Sequence, residues 1–377
     1  MDVSSEMIHG LLPVYLFTVL GASATTIGLI EGIAEATASI TKVFSGGLSD
    51  WLQRRQLLVA IGYGLSALTK PIFPLAASID WLVSARFLDR VGKGIRGAPR
   101  DALIADVTPA AIRSAAFGLR QSLDTVGAFV GPLLALVLMA ATANNFRLVF
   151  WVAVVPAFAS FGLVIFAVRD APRSDTGRNS ARGKPRAPLQ ISRLRNLPRV
   201  YWLVVALACV LSIARISDAF LILRAKQLGL ALAFSPLVLV AMNVVYSLGA
   251  YPLGRLGDKV SKRGLLVAGG IVLVASELLL AQAQGLAVVA GGVVLWGLHL
   301  ALTQGLLAAL VAATAPEALR GTAFGVFNLI TGLAMLLAGI GAGVLWDAYS
   351  SQVMFLAGAT LAALATIGML TVRIPSS

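Results

Sequence analysis

The sequence predicts an all-α integral membrane protein of about twelve transmembrane helices, arranged as two pseudo-symmetric six-helix bundles. Three observations support this prediction: an apolar composition, a series of apolar runs of membrane-spanning length, and an internal repeat. Of the 377 residues, 58% are hydrophobic and only 12% are charged, and the mean hydropathy is +0.88. Because a soluble domain carries about 25% charged residues, this chain has too little polar surface to cover itself in water. Most of its remaining surface is expected to contact lipid.

Twelve apolar runs follow one another along the chain. Backbone groups in hydrocarbon must be satisfied within their own segment, so these runs are expected to be helices rather than open strands. In chain order we label them α1 to α12, and they lie near residues 7–20, 26–48, 57–77, 81–105, 115–140, 148–168, 200–224, 235–256, 264–283, 286–313, 322–346 and 352–372.

The first run is short for a membrane span. Only about fourteen of its residues precede the turn at Gly21, and Asp2 and Glu6 would lie at membrane depth. We therefore expect α1 to be truncated, with its start missing. The alternative is a short, partly inserted helix.

A polar stretch at residues 169–199 divides the chain. It carries nine basic and two acidic residues, which is typical of a solvated linker between an N-terminal bundle at 1–168 and a C-terminal bundle at 200–377. Loops on the linker's side of the membrane hold seventeen Lys and Arg residues, whereas the opposite loops hold only Arg147 and Lys226. By the positive-inside rule, the linker is cytoplasmic.

The composition also excludes several classes of protein. The net charge of +13 is spread over short loops and indicates topology rather than a nucleic-acid partner. The single cysteine, Cys209, excludes an internal disulfide, and His9 and His299 are the only histidines. No metal-ligand cluster, phosphate loop or nucleophile–base arrangement is recognisable. We therefore expect no enzymatic activity, no cofactor and no metal.

The two halves of the chain match each other internally. Residues 46–50 (GGLSD) follow α2 and residues 254–258 (GRLGD) follow α8, at an offset of 208 residues. Residues 109–118 (PAAIRSAAFG) align with 316–325 (PEALRGTAFG) at an offset of 207. Two matches at nearly one offset indicate a repeated six-helix unit, as in transporters built from structural repeats.

The loop motifs resemble a signature of the major facilitator superfamily. The residues that match its α2–α3 loop are Gly46, Asp50, Arg54 and Arg55, and those that match its second copy are Gly254, Asp258, Lys262 and Arg263. Trp51 and Gln53 depart from the usual pattern. The resemblance implies the major facilitator fold and a gating role for these residues, in which the Asp caps or pairs with a neighbouring helix end.

Two helices add to this resemblance. In α4, Arg86, Gly92 and Gly94 match a family signature, although Asp89 and Arg90 differ from it. In α5, the spacing of the family's antiporter signature is reproduced, without its closing glycine pair, by Gly118, Gly127, Gly131 and Pro132. In the family this signature accompanies exporters that exchange substrate for protons.

Residues 92–106 (GKGIRGAPRDALIAD) are similar to a group of uncharacterised bacterial permeases. The resemblance implies a multi-pass, monomeric protein of the bacterial inner (cytoplasmic) membrane, and it names no cargo.

Ionisable residues inside spanning helices are costly and mark functional sites by default. The cations of α4 fall within an arc of about 120° on its helical wheel and are expected to face the cavity or neighbouring helices; they are Arg86, Arg90, Lys93, Arg96 and Arg100. They could form an anion-attracting wall with Arg120, or be snorkelling and structurally paired residues.

The acidic candidates for proton coupling are Glu6, Glu31, Glu35 and Asp124, for which a permanent ion-pair network is the alternative interpretation. Asp124 and Arg120 are four residues apart and can pair on α5, and Arg215 and Asp218 are expected to pair on α7. The candidates for the cargo-facing wall of the C-terminal half are Asn243, His299, Gln304 and Asn328. Glu277 is isolated and is expected to be structural or interfacial.

These observations lead to a secondary active transporter that moves a small organic solute by alternating access, with proton-coupled efflux as the leading hypothesis. The first alternative is an organic-anion importer or exchanger in which Arg86, Arg90, Lys93 and Arg120 bind the cargo. The alternative of another class is a membrane receptor that binds a ligand without transporting it. The expected partners are a small-molecule substrate, protons and the lipid bilayer.

Overall fold

The structure is a computed structural model that describes residues 1–52, 54–107, 113–168, 197–257, 260–315 and 320–371. Within these ranges every predicted run is helical and no strand occurs. The all-α membrane fold is therefore confirmed. The linker predicted at 169–199 lies outside the described residues except for Leu197, Pro198 and Arg199, and the division into two domains stays a prediction.

Three of the twelve helices are broken into two pieces. They are α1, formed by α1a (Asp2–His9) and α1b (Leu12–Thr18); α3, formed by α3a (Arg55–Thr69) and α3b (Ile72–Leu75); and α7, formed by α7a (Arg199–Ala214) and α7b (Asp218–Gln227). The continuous helices are α2 (Ala24–Leu52), α4 (Ile79–Val107), α5 (Arg113–Ala141), α6 (Phe146–Ala167), α8 (Ser235–Gly257), α9 (Lys262–Gln282), α10 (Leu286–Thr314), α11 (Arg320–Ala348) and α12 (Ser351–Thr371). A 3₁₀ turn, Leu232–Phe234, precedes α8.

Local sequence accounts for several helix ends. The Asn145 side chain accepts a hydrogen bond from the Leu148 N–H at the start of α6, and Ser261 does the same for Gly264 at the start of α9. These side chains satisfy donors that the first helical turn leaves free. Pro71 interrupts α3, since proline cannot donate the backbone bond that continues a helix.

Nine of the described helices are long and apolar enough to cross a bilayer. The three that fall short are α1, which consists of two short pieces, and α2 and α4, which are more polar. All three belong to the N-terminal half. Much of the ionic character of that half therefore lies in α2 and α4, which pack on each other.

The halves meet mainly where α2 of the first lies against α11 of the second. Glycines allow this approach, because a Cβ on Gly339 would overlap the Gly28 carbonyl oxygen, and one on Gly332 would lie 2.7 Å from the Ser39 Cβ. We call the end of the molecule that carries the α2–α3 and α6–α7 connections the linker face, and the other end the opposite face. At the opposite face, the Asp347 carboxylate of α11 accepts hydrogen bonds from the Ala24 and Thr25 N–H groups at the start of α2, at 3.0 and 2.7 Å.

Candidate functional site

Two neighbouring cavities, which we call lobes, lie among the helices of the two halves. The α4 lobe has a volume of about 360 Å³ and is lined by α1a, α2, α4, α5 and α11. The α10 lobe, of about 300 Å³, is lined by α7a, α10 and α11. Asn328 of α11 borders both lobes. Each lobe is within the size range of small-molecule sites. Through Asn328, the candidate residues of the two halves border neighbouring cavities.

The first helix of each half is broken, and Arg215 at the α7 break lines the α10 lobe, while α1a lines the α4 lobe one turn before its own break. The break in α1 falls at Gly10–Leu11, and the break in α7 falls at Arg215–Ser217. Gly10 and Ser217 are 207 residues apart, the same offset as the repeated motifs. Discontinuous helices at equivalent positions of two repeats are typical of transporter binding sites. The breaks place His9 at the last position of α1a and Asp218 at the first position of α7b.

Beside the α1 break, three titratable side chains contact one another. Arg86 Nη2 of α4 lies 2.9 Å from Glu31 Oε2 of α2 and 2.7 Å from His9 Nδ1. His9 Nδ1 lies 3.8 Å from the same Glu31 oxygen. Arg86 and Glu31 are almost fully buried. Glu31 Oε1 has no hydrogen-bond partner among the described residues, so this buried carboxylate is only half satisfied.

A second ionic group lies deeper between α3 and α4. Lys70, at the break in α3, lies 3.1 Å from Asp89 Oδ1 and donates to Ser5 Oγ at 3.1 Å. Arg90 is 3.8 Å from both Glu35 Oε1 and Asp89 Oδ2. Lys70, Asp89 and Arg90 are all buried. Arg86 and Arg90 thus have acidic neighbours of their own rather than forming an open cationic wall.

A third group surrounds the part of the α4 lobe nearer the linker face. Arg120 Nη1 lies 3.0 Å from Asp101 Oδ1 and 3.4 Å from Asp124 Oδ2, so the contact that the four-residue spacing predicted on α5 is present. Arg100 Nη2 lies 3.4 Å from the same Asp124 oxygen. Arg96 donates to Ser66 Oγ at 2.7 Å, and its guanidinium lies 4.8 Å from the centre of the Tyr63 ring. Most cations of this lobe are therefore in contact with acids or polar groups of neighbouring helices.

Two predicted residues face the lobe without such a partner. Lys93 and Glu6 both line it, and neither forms an ion pair with another described residue. Of the four cations proposed for cargo binding, Lys93 is therefore the one with an open approach to the cavity. Arg120 also lines the lobe, but with two carboxylates in contact.

The C-terminal half supplies fewer charges. Gln304 and Asn328 line the α10 lobe, as does His299, which is buried with Nδ1 2.8 Å from the Gly269 carbonyl oxygen. Asn243 lies instead in a separate groove between α5 and α8, together with Thr125, Phe129 and Ser247. It thus contacts neither lobe directly.

The expected ion pair of Arg215 with Asp218 is not formed among the described residues, although Arg215 remains the charged group that acts most strongly on the Asp218 carboxyl. That prediction assumed a continuous α7, in which residues three apart share a face. The break between α7a and α7b separates them, and the Asp218 carboxylate instead accepts a hydrogen bond from Trp296 Nε1 at 3.1 Å. Arg215 lines the α10 lobe.

The gating residues are only partly described. Gly46 faces Ala98, since a Cβ added to Gly46 would lie 3.4 Å from the Ala98 Cβ. Arg54 directly precedes α3a. Arg55 and Lys262 begin α3a and α9, and Arg263 donates from Nε to the Met369 carbonyl oxygen at 2.8 Å. Asp258 lies outside the described residues, as do the side chain of Asp50 and the surroundings of Gly254, so the gating contact stays a prediction.

The α5 glycines bring α1a close. A Cβ on Gly131 would lie 2.7 Å from the Val3 carbonyl oxygen, and one on Gly127 would lie 2.9 Å from the Asp2 Cβ. Pro132 follows inside the helix and Gly118 lies nearer its start. This close packing holds Asp2 and Glu6 against the α4 lobe.

Sequence reasoning did not select His9, Lys70 or Asp218 as site residues. A histidine at the end of a short first run, and a lysine beside a proline inside an apolar run, were signals in the sequence. The position of Asp218 became informative only once the break in α7 was visible, because a continuous helix offers it a local partner.

Comparison with known proteins accounts for this architecture. The profile of the Major Facilitator Superfamily matches residues 1–338 and 216–377. The chain is 30% identical to the transporter MJ1317 of Methanocaldococcus jannaschii over 369 residues, which covers 96% of this chain and 89% of that protein. It is 25% identical to the inner membrane transport protein YajR of Escherichia coli over 366 residues, or 95% and 77% of the two chains.

Solved structures show the same fold at low sequence identity. A crystal structure of a POT family transporter in complex with a thioalcohol-conjugated peptide superposes with a TM-score of 0.82 at 15% identity, over 98% of this chain and 93% of that one. The family profile covers more than half of the chain, the MJ1317 transporter is 30% identical over nearly its whole length, and this chain therefore belongs to the Major Facilitator Superfamily.

Proposed function

We propose that this chain exports a small organic solute across the bacterial cytoplasmic membrane in exchange for protons, with its linker face in the cytoplasm. Membership of the superfamily supports secondary transport by alternating access. The observation that carries proton coupling is the buried contact of Glu31, Arg86 and His9 beside the break in α1, where Glu31 Oε1 has no partner among the described residues. A carboxylate with one bound and one free oxygen has an oxygen at which a proton can bind.

Protonation of Glu31 would change the net charge of the contact formed by Glu31, Arg86 and His9. It removes the charge that lies 2.9 Å from the buried Arg86 guanidinium, and a desolvated cation without its anion is strongly destabilised. Arg86 must then find water or another anion, which favours a rearrangement of α1, α2 and α4.

The outward direction rests on the glycine and proline pattern of α5, which resembles that of exchangers. The packing of Gly127 and Gly131 against α1a supports this resemblance, because it couples α5 to the helix that holds His9. A monomer provides the complete cavity, since the residues around both lobes belong to one chain.

A flux experiment tests the proposal. The purified chain is reconstituted in liposomes that contain a pH-sensitive dye, and a panel of organic cations, anions and neutral solutes is added on one side. We expect at least one solute to drive proton movement in the opposite direction, and an uncoupler to abolish solute accumulation. Glu31→Gln should remove proton movement, whereas Asp80→Asn, at an exposed position of the opposite face, should leave it intact.

Two outcomes would contradict the proposal. Solute transport that survives the uncoupler unchanged excludes proton coupling. A solute that binds the chain without any flux in liposomes indicates a receptor with a transporter fold.

A further inference from the structure

Two lysines of the α4 lobe form no ion pair with any acid that the structure describes. Five cations line this lobe: Lys42, Lys93, Arg96, Arg100 and Arg120. Arg100 and Arg120 contact Asp101 and Asp124, and Arg96 lies 3.8 Å from Asp2. No hydrogen bond or ion pair of the Lys42 or Lys93 ammonium group occurs within the described parts of the chain.

The backbone around these lysines directs both ammonium groups to the lobe. The side chain of Lys42 on α2 packs against Gly97 of α4. A Cβ added to Gly97 would lie 3.7 Å from the Cγ, Cδ and Cε atoms of Lys42. Its aliphatic stem thus covers a glycine, and its ammonium group remains accessible. Lys93 lies one turn before Gly97 on α4, and its side chain is also accessible from the lobe. Both positions therefore present compact cations to the same space from neighbouring helices.

The charges that surround the lobe leave a positive excess. Asp2, Asp101 and Asp124 lie beside the arginines, so Glu6 is the remaining acid of the lining. Outside the lining, Glu35 also acts on the charge of Lys93, but it lies 3.8 Å from Arg90 and is shared with that arginine. A cation inside a membrane protein is costly unless it faces water or an anion. A bound group with two negative charges would neutralise the positive charges of both lysines, whereas Glu6 carries only one negative charge.

We propose that the α4 lobe binds the oxyanion of a soluble organic solute, with Lys42 and Lys93 as its ligands. A phosphate monoester or a dicarboxylate has this chemistry, and lysine ammonium groups are suited to it because each offers three donors as a point charge. The uncharged part of the solute would extend past Asn328 into the α10 lobe, where Gln304 and Thr303 offer hydrogen bonds. This inference rests on the proposed transport function, because it names the class of solute that the chain would transport.

The test is a binding measurement that requires no flux. The full chain is kept in a neutral detergent, and its thermal unfolding is followed with glucose 6-phosphate against glucose, and with succinate against succinamide, at matched ionic strength. A ligand that binds the folded form raises the unfolding temperature. We expect at least one anion to do so and its neutral counterpart to have no effect.

Variants then assign the site. Lys42→Gln and Lys93→Gln should each weaken apparent affinity about ten- to a hundredfold, as expected for loss of a hydrogen bond to a charged group. Lys93→Arg keeps the charge and should retain most of the affinity. Lys226→Gln, at the opposite face, is the matched control and should bind as the parent does. If a glutamine variant fails to fold, the comparison of anion with neutral analogue and the arginine variant still decide the question.

The same experiment separates a soluble anion from a lipid headgroup. The chain is also placed in nanodiscs of phosphatidylcholine with and without phosphatidylglycerol. Stabilisation by phosphatidylglycerol alone, with no effect of soluble anions, would overturn the proposal. So would equal stabilisation by anions and neutral analogues, or full affinity in both glutamine variants. Because no gradient is present, failure here leaves proton-coupled export intact, and failure of the flux test leaves anion binding intact.

Discussion

At the scale of single residues, ion pairing differs sharply between the two halves. The acids and bases of α2 and α4 lie in contact with one another, as Glu31 does with Arg86 and Asp89 with Lys70. Glu277 of α9 is the contrasting case, since it is fully buried and neither of its carboxyl oxygens has a partner among the described residues. It packs against Gly358 of α12, where an added Cβ would lie 2.7 Å from Oε1. This placement, away from both lobes, is consistent with a structural position.

Replacement of Glu277 by leucine should therefore stabilise the protein. A buried polar group without a partner destabilises the folded state by about 1–3 kcal/mol, and an apolar group of similar volume removes that penalty. We expect Glu277→Leu to unfold at a higher temperature in detergent, with transport unchanged, and Glu277→Gln to unfold close to the parent temperature. Loss of transport in a stable Glu277→Leu protein would instead give this carboxyl group a functional role.

At the scale of helices, close approach between elements sets the shape of the site. The helix α1a reaches the α4 lobe because α5 presents Gly127 and Gly131 to it. The breaks in α1 and α7 have different local causes, since Gly10 follows His9 in one and Ser217 caps α7b in the other. In each case the interruption places a titratable side chain, His9 or Asp218, at a helix terminus.

A methyl group at Gly131 should disturb this packing. Its Cβ would lie 2.7 Å from the Val3 carbonyl oxygen and 2.8 Å from the Glu6 Cβ, and backbone cannot move aside as a side chain can. Overpacking of this kind costs about 1–3 kcal/mol. We expect Gly131→Ala to lower the unfolding temperature and to reduce solute-driven proton movement.

The matched control is Gly162→Ala in α6, where an added Cβ meets no atom within 4 Å. This variant should unfold at or slightly above the parent temperature, because alanine favours a helix by up to about 1 kcal/mol over glycine. Equal behaviour of the two variants would show that the contact of α5 with α1a is not tight.

At the scale of the whole molecule, the opposite face is closed by a contact between the halves. The Asp347 carboxylate of α11 binds the N–H groups of Ala24 and Thr25 at the start of α2, where the helix carries a partial positive charge. Position 140, which is equivalent to Asp347 in the first half at the repeat offset of 207, is an alanine. The contact thus lacks a symmetric counterpart at that position.

Removal of this carboxylate should favour opening of the opposite face. Hydrogen bonds to a charged group contribute about 1.5–3 kcal/mol, so Asp347→Ala should shift the balance between closed and open forms by about tenfold or more. With Cys209 replaced by serine, spin labels at the exposed positions Val19 and Tyr349 report the separation of the halves. We expect a larger population at long distance in Asp347→Ala and an intermediate one in Asp347→Asn. The control Asp80→Asn should match the parent, and an unchanged distribution in Asp347→Ala would contradict a role in closure.

The sequence by itself determined the membrane environment, the number and approximate position of the helices, the internal repeat and the superfamily. These properties follow from composition and from local patterns, because hydrocarbon permits a helix wherever a long apolar run occurs. The sequence also predicted the concentration of charge in α2 and α4 and the local contact of Arg120 with Asp124.

Only the tertiary structure decided which of those charges face the cavity. Arg86 and Lys93 share one face of α4 in the sequence pattern, yet Arg86 meets Glu31 and His9, whereas Lys93 faces the α4 lobe. The tertiary structure also revealed the break in α7. It showed two contacts between residues far apart in sequence, that of Asp218 with Trp296 and that of Asp347 with Ala24. A helical wheel places side chains relative to the axis of one helix. Pairing of side chains in a bundle depends instead on the spacing and crossing of neighbouring helices. Glycines such as Gly131 and Gly339 set that spacing, because they allow segments that are distant in sequence to approach closely.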